Sequence, residues 1–549
     1  MFIPLHVIVT VFLTFAGDAN TVLAEVVQGG KGDTPRDSKN NTERKQQHAE
    51  QYSPPHHDEE DVGIKLQRFE RNRSKRYDHR RRLSDVDDGI FTNTSTSIFN
   101  EDVGSNSTLF SSKNSVLDVV IVGAGWAGAA AAITLQKQGI TNFKVLEARE
   151  EIGGRSRTIM EPWQGENIPI DLGSQWIHGM TGNPVLNVAK SNGIPYGTSE
   201  GLGLYYKDNN GGAYSNSGIL ALESELYSDG FFPYQEERQE STDNDQPLRA
   251  TANQYIANNG LTPAKRNLLE MFLSNNIGQD FGASLEDLSL WWWDSGNALG
   301  GNDAFLHQGY SELFNAYTQS IQSKIETSAK VTVINTKSKN PSTVKYIDET
   351  GSEIELKALK VLVTVPLGVL KAQSITFQPK LPKKKRTAIS QLGMGLLNKV
   401  VLFWEDIDVF WPLNTEWFAE AAQRESSFEF YNPRSLNGGQ PILVGFVYGR
   451  DAEYLEEEYG SDQELYKSKM TEAALLALRN MFGGTIPDPK HAIVTKWGSD
   501  EFAYGSYSFN KVGMSRKAHI LLSKTIRKKK LYFAGEACHS RYFGTTHGK

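Results

Sequence analysis

Three glycines form the pattern Gly123-x-Gly125-x-x-Gly128 between an apolar run and an alanine-rich segment. Glycines at this spacing allow a tight turn and let a pyrophosphate approach the backbone at the positive end of the following helix. Glu147 follows 19 residues after the third glycine, where its carboxylate can accept both hydroxyls of a ribose. An acid at this position would repel a 2′-phosphate. The spacing therefore predicts a dinucleotide site that disfavours NADP.

The residues directly after Glu147 favour FAD over NAD. They include Arg149, a glycine pair at 153–154 and Arg155. Paired glycines allow close approach of the backbone, and guanidinium groups neutralise phosphate oxygens with fork geometry. The alternative is a Gly-Gly turn with a surface arginine. Near the other end of the chain a strand-like run ends in glycine and Glu536, an acid that can bind a ribityl or ribose hydroxyl.

The glycine pattern requires a strand before it and a helix after it. Val116–Val122 has the composition of a buried strand, and Ala127–Gln138 that of an alanine-rich helix ended by Gly139. Phe143–Leu146 is a second strand. The chain from Val116 onward is thus predicted to open as a β-α-β unit of an α/β fold.

Length and composition indicate a globular protein of two domains plus a tail. The chain has 549 residues, of which 39% are hydrophobic and 22% charged, with a formal net charge of −7. This charge argues against a protein that binds nucleic acid through a basic surface, and it suits a cationic substrate. Cys538 is the only cysteine, so an intramolecular disulfide is excluded.

The first part of the chain has the features of a secreted protein. Met1–Ala24 is predicted to be a cleaved signal peptide, with an uncleaved anchor as the alternative, although its apolar run is short for a membrane span. Residues 25–114 are polar and form a predicted disordered leader, in which the arginine run 80–82 is a processing site or a solvated charge cluster. Sequons for N-glycosylation occur at Asn40, Asn72, Asn93 and Asn106. We expect a glycoprotein that is secreted or resides in the secretory-pathway lumen.

Several separated motifs resemble the flavin monoamine oxidase family, which includes polyamine oxidases, monoamine oxidases and lysine-specific histone demethylases. The motifs are Gly123–Gly128, Glu147–Arg155, Asp171–Gly179, Leu288–Leu290, Asn398–Val400, Gly505–Ser508 and Phe533–Glu536. The resemblance covers the chain from about Val116 to the last residue and is closest to spermine and spermidine oxidases. It implies a Rossmann-like FAD-binding domain of the glutathione-reductase type, interleaved with an α+β substrate domain that has a mixed sheet. The expected boundaries are 115–190, 300–375 and 490–549 for the FAD domain and 190–300 and 375–490 for the substrate domain.

The same resemblance implies a set of cofactor contacts and a reaction. The reaction is transfer of a hydride equivalent from the amine to flavin N5, followed by imine hydrolysis and reoxidation by O₂ to H₂O₂. One contact, Val331, lies in a strand-like run and is alternatively a packed core valine. The implied FAD-binding residues are Gly123, Gly125, Gly128, Glu147, Arg149, Arg155, Gln175, Trp176, Val331, Trp497, Glu536 and Thr545.

Three residues are expected to act at the reacting centre. Lys399 is a lone cation in the apolar run Leu396–Phe403, where burial without a partner is costly; the resemblance implies that it holds a water at flavin N5, and a solvent-facing edge strand is the alternative. The resemblance places His178 near the substrate amine, with a structural histidine as the alternative. It makes Tyr507 an aromatic wall near the flavin, or else a tyrosine packed in the core.

The remaining expectations concern substrate specificity. Thr545 or Thr546 stands where monoamine oxidases have a second cage tyrosine, which favours the polyamine and demethylase branches. An L-amino-acid or monoamine oxidase and a flavin-free degenerate binding protein are the alternatives, while a chromatin demethylase conflicts with the predicted signal peptide. The family continues beyond the position of Lys549 into a helix that faces the flavin, so a truncated sequence or impaired flavin binding is expected. Acids considered for binding a distal substrate ammonium are Asp294, Asp303, Glu286 and Asp287.

Overall fold

The computed structural model describes residues 116–199, 204–208, 213–214, 224–337, 341–421, 428–437, 439–515, 517–526 and 530–548. The predicted signal peptide, leader, arginine run and sequons all lie outside the described residues. The described chain falls into two compact units, one containing residues 116–214 and 234–548 and the other containing residues 224–233. In the smaller unit the rings of Tyr227 and Phe232 stack with their centroids 4.3 Å apart.

The strands, numbered in chain order, are β1 Leu117–Val122, β2 Phe143–Leu146, β3 Thr158–Trp163, β4 Glu166–Asp171, β5 Trp176–Ile177, β6 Tyr196–Ser199, β7 Leu204–Asp208, β8 Ala213–Tyr214, β9 Asp303–Leu306, β10 Ile325–Glu326, β11 Lys330–Asn335, β12 Ser342–Ile347, β13 Glu353–Val363, β14 Thr376–Gln378, β15 Gly393–Gly395, β16 Leu397–Phe403, β17 Trp417–Ala421, β18 Glu429–Tyr431, β19 Ile442–Tyr448, β20 His491–Val494, β21 Tyr507–Phe509 and β22 Leu531–Phe533.

The α-helices are Trp126–Lys137, Pro184–Ser191, Phe231–Ser241, Leu248–Asn259, Pro263–Leu273, Gln279–Phe281, Gly309–Thr318, Leu367–Lys371, Lys383–Gln391, Arg434–Asn437, Gly449–Tyr459, Gln463–Phe482 and Ala518–Ser523. A π-helical turn covers Ser274–Gly278, and 3₁₀ turns cover Gln319–Lys324, Asp406–Asp408 and Glu536–Cys538. Within the described part of the chain, none of these helices combines the length and the apolar character needed to cross a bilayer.

An eight-stranded sheet contains the first strand of the chain. Strands β10, β2, β1, β13 and β22 lie side by side and pair in parallel, and β12, β11 and β14 extend the sheet beyond β13. Residues 119–122 of β1 are all buried, which explains why this strand is continuously apolar, because a central parallel strand is covered on both faces. The predicted β-α-β start is confirmed.

The element boundaries at this start differ slightly from those predicted. The strand begins at Leu117 and the helix at Trp126. The helix stops at Lys137 because Gln138 is its C-cap and Gly139 adopts φ +78°, the left-handed conformation that ends many helices. The motif glycines therefore lie in the turn and in the first helical residues.

Four parallel strands deliver functional residues to one edge of this sheet. Strand β1 ends directly before Gly123, β2 before Glu147, β13 before Thr364, and β22 two residues before Gly535. Because the carboxyl ends of parallel strands lie at the same edge, these loops meet there, and such edges are the usual ligand sites of open α/β sheets.

A second sheet of seven strands has the order β20-β16-β19-β18-β17-β7-β8. Strand β16 carries Lys399 opposite Phe446 of β19. On its other side the backbone of Lys399 is bonded to Thr495, at 2.8 Å from Lys399 N to Thr495 Oγ1 and 3.0 Å from Thr495 N to Lys399 O. Lys399 is 2% exposed, so the alternative of a solvent-facing edge-strand lysine is wrong.

A small sheet, β5-β9-β6, joins residues that are far apart in the sequence. Strands β5 and β9 are antiparallel, with Ile177 opposite Ala304. This pairing brings the Trp176–Gly179 segment against Asp303. The predicted domain boundaries stay a prediction, because the larger compact unit contains all three of these sheets.

Candidate active site

A cavity of about 1130 Å³ opens at the carboxyl edge of the parallel strands. Seven of the predicted cofactor residues line it: Gly123, Gly125, Glu147, Arg149, Arg155, Val331 and Glu536. Val331 is 6% exposed and also belongs to the core of the sheet, so its two interpretations are compatible. This space is called the dinucleotide cavity below.

Two of the motif glycines have different roles, one in helix packing and the other in leaving space for a ligand. A Cβ on Gly128 would lie 1.9 Å from the carbonyl oxygen of Gly123, so only glycine allows the helix to pack on this turn. Gly128 does not line the cavity among the described residues. A Cβ on Gly125, by contrast, would meet no protein atom closer than 3.9 Å. Gly125 is therefore needed for the space beside it and not for packing.

The positive end of the first helix faces this turn. Its N-cap residue, Gly125, offers no side chain to the free N–H groups of the first turn. Such groups bind anions well. The buried carboxylate of Glu147 accepts hydrogen bonds from Ala124 N at 2.7 Å and Arg149 N at 3.0 Å. Burial raises the pKa of Glu147, against these hydrogen bonds and the charge of Arg149.

The two predicted phosphate-binding arginines are each paired with an acid. Arg149 Nη2 donates to both carboxylate oxygens of Asp500 at 2.8 Å. Arg155 Nη1 donates to Ser506 O at 2.8 Å and to Glu536 Oε1 at 3.1 Å. The phosphate contacts themselves stay a prediction.

The Arg155–Glu536 pair borders a second cavity of about 970 Å³. Both residues line both cavities, so the two cavities adjoin at this pair. The second cavity is lined by the predicted residues Arg155, Trp176, His178, Lys399, Trp497, Tyr507, Glu536 and Thr545, together with Thr546. It is called the amine cavity below.

Lys399 is held by three acceptors in the wall of the amine cavity. Its Nζ donates to Asp171 O at 2.7 Å, to Gly173 O at 2.9 Å and to Gln175 Oε1 at 2.7 Å. Burial lowers the pKa of Lys399 to about 8, against the attraction of Asp171. Burial disfavours the charged form of an acid as well, and it raises the pKa of Asp171 to about 6. Gln175 thus contacts Lys399, and it lines neither cavity among the described residues.

Aromatic side chains form much of the amine cavity. Trp176 packs against Trp417 with ring centroids 5.3 Å apart. Trp497 donates from Nε1 to Leu172 O at 3.0 Å. Tyr507 donates to Gln279 O at 2.9 Å, and burial raises its pKa.

Other predicted side chains have local partners. His178 Nδ1 lies 2.6 Å from Asp303 Oδ2, and the second oxygen of Asp303 accepts from Gly179 N at 2.8 Å. Thr545 Oγ1 donates to Tyr542 O at 2.8 Å and accepts from Gly548 N at 3.0 Å. Asp303 itself lines neither cavity among the described residues, and its distal-ammonium role stays a prediction.

The remaining acids considered for the distal ammonium lie elsewhere. Among the described residues, Asp294, Glu286 and Asp287 line neither cavity. Asp294 accepts from Gln239 at 3.2 Å. The acid that does line the amine cavity is Asp280, which is 7% exposed. It lies in a three-residue helix after a π-helical turn, and no sequence pattern distinguished it.

Further cavity residues were also missed. Phe446 and Trp417 line the amine cavity, and Thr364 lines the dinucleotide cavity. Thr364 Oγ1 donates to Gly123 O at 3.0 Å. Its position directly after an apolar strand is a signal that was available in the sequence, whereas Phe446 and Trp417 are indistinguishable from core residues in sequence alone.

Comparison with known proteins identifies the family. The model of the flavin containing amine oxidoreductases matches residues 126–548. The chain belongs to this family. Lysine-specific histone demethylase 1 homolog 1 of Arabidopsis thaliana is 33% identical over 455 residues, which cover 78% of this chain and 50% of that protein. Polyamine oxidase 2 of Arabidopsis thaliana is 30% identical over 443 residues, covering 78% of this chain and 85% of that protein.

A solved structure of putrescine oxidase bound to putrescine superposes with a TM-score of 0.60 at 18% identity, covering 79% of this chain and 96% of that one. The predicted flavin amine oxidase fold is therefore confirmed. The chain spans about half the length of the demethylase homologs that it matches.

The family uses a flavin, which confirms the expectation of FAD, and the residues present fit this cofactor. The uncapped helix start and the open space at Gly125 suit a pyrophosphate, and buried Glu147 and Glu536 suit ribose or ribityl hydroxyls. The amine cavity, which adjoins this site at Arg155, suits the ring.

Proposed function

We propose that this protein is an FAD-dependent polyamine oxidase, an oxidoreductase that acts on the CH–NH group of a small polycationic amine. The observation that carries this proposal is the composition of the amine cavity. It combines aromatic walls, a buried lysine and a buried acid, Asp280, in one space next to the dinucleotide cavity. Concave pockets lined mainly by aromatic side chains with a few polar groups are typical of small-molecule sites.

The charges around the amine cavity favour a cation. Asp280, which is 7% exposed, lines it and places a carboxylate there. Of the described residues that line this cavity, Arg155 is the only arginine, and it is paired with Glu536. An L-amino-acid oxidase would need an arginine that grips the substrate carboxylate. This pairing weakens that alternative.

The chain's own residues bind the amine, orient it and control its protonation. A free alkylamine with a pKa near ~10.4 is protonated at neutral pH, and the aromatic, desolvated cavity favours the neutral form. His178, at the border of the same cavity, is a group that can take the proton. Lys399 holds the Asp171–Gln175 segment against β16 through its three hydrogen bonds.

The chemistry that FAD would supply when bound is acceptance of a hydride equivalent from the carbon beside the amine nitrogen and transfer of the electrons to O₂, which would give H₂O₂. Water then hydrolyses the imine formed from the substrate. Thr545 and Thr546 line the amine cavity, as Tyr507 does. The absence of a second tyrosine at this motif favours a polyamine over an aryl monoamine.

A second candidate is oxidation of N-methylated lysine in a peptide. It is favoured by the similarity to the Arabidopsis demethylase homolog, at 33% identity. Both candidates require the same FAD and Lys399, so the substrate decides between them.

The deciding experiment measures H₂O₂ release from spermine, spermidine, tyramine, leucine and a dimethyl-lysine peptide, side by side on flavin-loaded protein. We expect oxidation of spermine or spermidine with the highest kcat/KM. Preference for the peptide would replace the proposal with the second candidate. Purified protein without bound flavin, even after addition of FAD, would indicate a degenerate binding protein.

We also propose that the protein enters the secretory pathway. The support is the apolar run of Met1–Ala24 and the four sequons that follow it. A glycosidase that removes N-linked glycans should increase the mobility of the secreted protein on a gel. Detection of the unglycosylated protein in the nucleus would contradict this proposal and favour the demethylase candidate.

A further inference from the structure

His178 and Asp303 face each other because of the register of the small sheet. Strands β5 and β9 are antiparallel with Ile177 opposite Ala304, and the next pair in that register is His178 with Asp303. The Asp303 carboxylate lies 2.6 Å from His178 Nδ1 and accepts from Gly179 N at 2.8 Å. The two side chains are 12% and 10% exposed. The backbone N–H thus fixes the carboxylate, and the carboxylate fixes the ring.

This hydrogen bond determines which ring nitrogen carries the proton. An ionised carboxylate only accepts hydrogen bonds, so the proton between the two groups belongs to Nδ1. In neutral His178 the lone pair is then on Nε2. Nε2 is buried and has no hydrogen-bond partner among the described residues. His178 lines the amine cavity together with Lys399. A basic nitrogen without a protein partner therefore belongs to a side chain at the substrate site.

Resting on the amine oxidation proposed above, we propose that Asp303 is a positioning residue that holds His178 as the Nδ1–H tautomer, and that Nε2 accepts a proton from the substrate ammonium. An N–H bond of the ammonium breaks, an Nε2–H bond forms, and the electron pair stays on the substrate nitrogen. The resulting imidazolium is stabilised by the Asp303 carboxylate. It returns the proton to solvent when the product leaves.

Several other titratable groups lie near His178 or line the same cavity. Burial and the neighbouring His178 hold the pKa of His547 at about 4, so His547 is neutral at physiological pH. Burial raises the pKa of Tyr310, whose hydroxyl donates to Trp176 O. The charged or titratable residues that share the amine cavity with His178 are Arg155, Asp280, Lys399, Tyr507 and Glu536.

The substitution Asp303→Asn tests the pair. Asparagine has one oxygen for two N–H donors; if that oxygen accepts from Gly179, the amide NH₂ faces Nδ1 and moves the ring proton to Nε2. We expect kcat/KM for spermidine at pH 7 to fall by about 10²-fold, the usual size of a proton-transfer contribution. His178→Gln should cause a similar loss, and the double variant should be no worse than either single one. Asp488→Asn, which changes a surface aspartate 74% exposed, is the matched control.

Two readouts separate positioning from a purely structural role. The acid limb of the kcat/KM profile should move in Asp303→Asn and be absent in His178→Gln. Long-range ¹H–¹⁵N spectra of ¹⁵N-histidine-labelled protein, with the His178 signal assigned from His178→Gln, should show the proton on Nδ1 in the wild type. This measurement does not depend on turnover or on a well-folded Asp303 variant.

The outcomes distinguish this inference from the proposed function. Wild-type protein that oxidises no amine, but carries His178 as the Nδ1–H tautomer, would refute the oxidase proposal and leave the geometry of the pair intact. An active wild type with the proton on Nε2 would overturn the role of Asp303. So would additive effects of the two substitutions.

Discussion

The dinucleotide cavity and the amine cavity share a wall at Arg155 and Glu536 but are built in different ways. The first draws on short contiguous motifs at the ends of neighbouring parallel strands, such as Gly123–Gly128 and Glu147–Arg155. The second draws single side chains from positions as distant as His178 and Tyr507. A site of backbone turns is encoded locally, whereas a site of convergent side chains depends on the register of several sheets.

The two cavities also differ in what their polar groups are. The dinucleotide cavity offers backbone N–H groups and glycine space, and its arginines are ion-paired within the protein. It also contains one buried acid, Glu147, whose pKa burial raises. The amine cavity includes buried ionisable groups with displaced pKa values, of which Lys399, near 8, is the clearest. Displaced pKa values of this kind are common where protons move. The first cavity is therefore expected to be sensitive to added volume and the second to changes of charge.

The largest expected effect comes from adding one methyl group to a motif glycine. In Gly128→Ala the new Cβ would lie 1.9 Å from Gly123 O, so the turn and the helix cannot both keep their places. We expect loss of flavin and of the folded state. In Gly125→Ala the nearest protein atom is 3.9 Å away, so we expect a folded protein that no longer accepts the pyrophosphate.

Visible flavin absorbance and thermal unfolding, measured on both variants, check this contrast. Gly484→Ala, at a glycine with open space around it, is the control and should retain both flavin and stability. A flavin-loaded Gly125→Ala protein would show that the cofactor's phosphates lie elsewhere, and a stable Gly128→Ala protein would contradict the packing argument.

Most of the fold around the dinucleotide cavity was predictable from sequence. Apolar runs and the glycines that end them located β1, the first helix and β2 to within one residue. The reason is that a buried parallel strand and an alanine-rich helix have strong sequence signals. Strand β13, by contrast, is alternately exposed and half-buried before it pairs with β1. Its pairing with β1 spans more than 200 residues of sequence, which no local pattern encodes.

The amine cavity was predictable only in part. The lone charge of Lys399 in an apolar strand was a usable signal, since burying an ammonium without partners is costly. Its actual partners are two backbone carbonyls and Gln175, and carbonyl positions cannot be inferred from composition. Asp303 was interpreted as a substrate acid because its contact with His178 arises from strand register.

The second largest effect is expected from Lys399→Met, which removes the ammonium and retains the apolar stem. We expect kcat to fall by about 10²-fold while flavin binding persists. Because burial holds the pKa of Lys399 near 8, the wild-type kcat should carry an ionisation near pH 8 that the variant lacks. Above pH 8 the neutral amine of Lys399 has two N–H donors for its three acceptors. The contribution of Lys399 to kcat should therefore decline. Steady-state kinetics across pH 6–10 measure it.

A second buried lysine provides the control for Lys399→Met. Lys385 is 3% exposed, and burial lowers its pKa to about 8, yet its Nζ donates to Leu522 O outside the amine cavity. Lys385→Met should therefore retain the wild-type kcat in whatever fraction folds. Equal losses in the two variants would mean that burial alone, and not position in the cavity, explains the result.

A smaller effect, confined to one class of substrate, is expected from Asp280→Asn. A hydrogen bond to a charged group contributes about 1.5–3 kcal/mol, so KM for spermidine should rise by about tenfold or more. KM for tyramine, which has a single ammonium, should change little. Asp294→Asn is the matched control, because Asp294 lines neither cavity among the described residues. An equal rise for both substrates would mean that Asp280 shapes the cavity and does not select polycations.

The last effect is on stability and not on activity, and it arises at the amine side. Burial raises the pKa of Glu429 from its ordinary 4.5 to about 7, against the hydrogen bond from Gln279. Between these pH values the folded state binds more protons than the unfolded state, so stability declines as pH rises from 4.5 to 7. At pH 8 the charged carboxylate costs on the order of 3 kcal/mol, and Glu429→Gln removes this cost while retaining an acceptor for Gln279. The melting temperature of the variant should exceed that of the wild type by a few degrees at pH 8 and match it at pH 5. Equal melting temperatures of variant and wild type at pH 8 would mean that the Glu429 carboxylate reaches water or a cation. The acid beside the amine cavity would then be charged and not neutral.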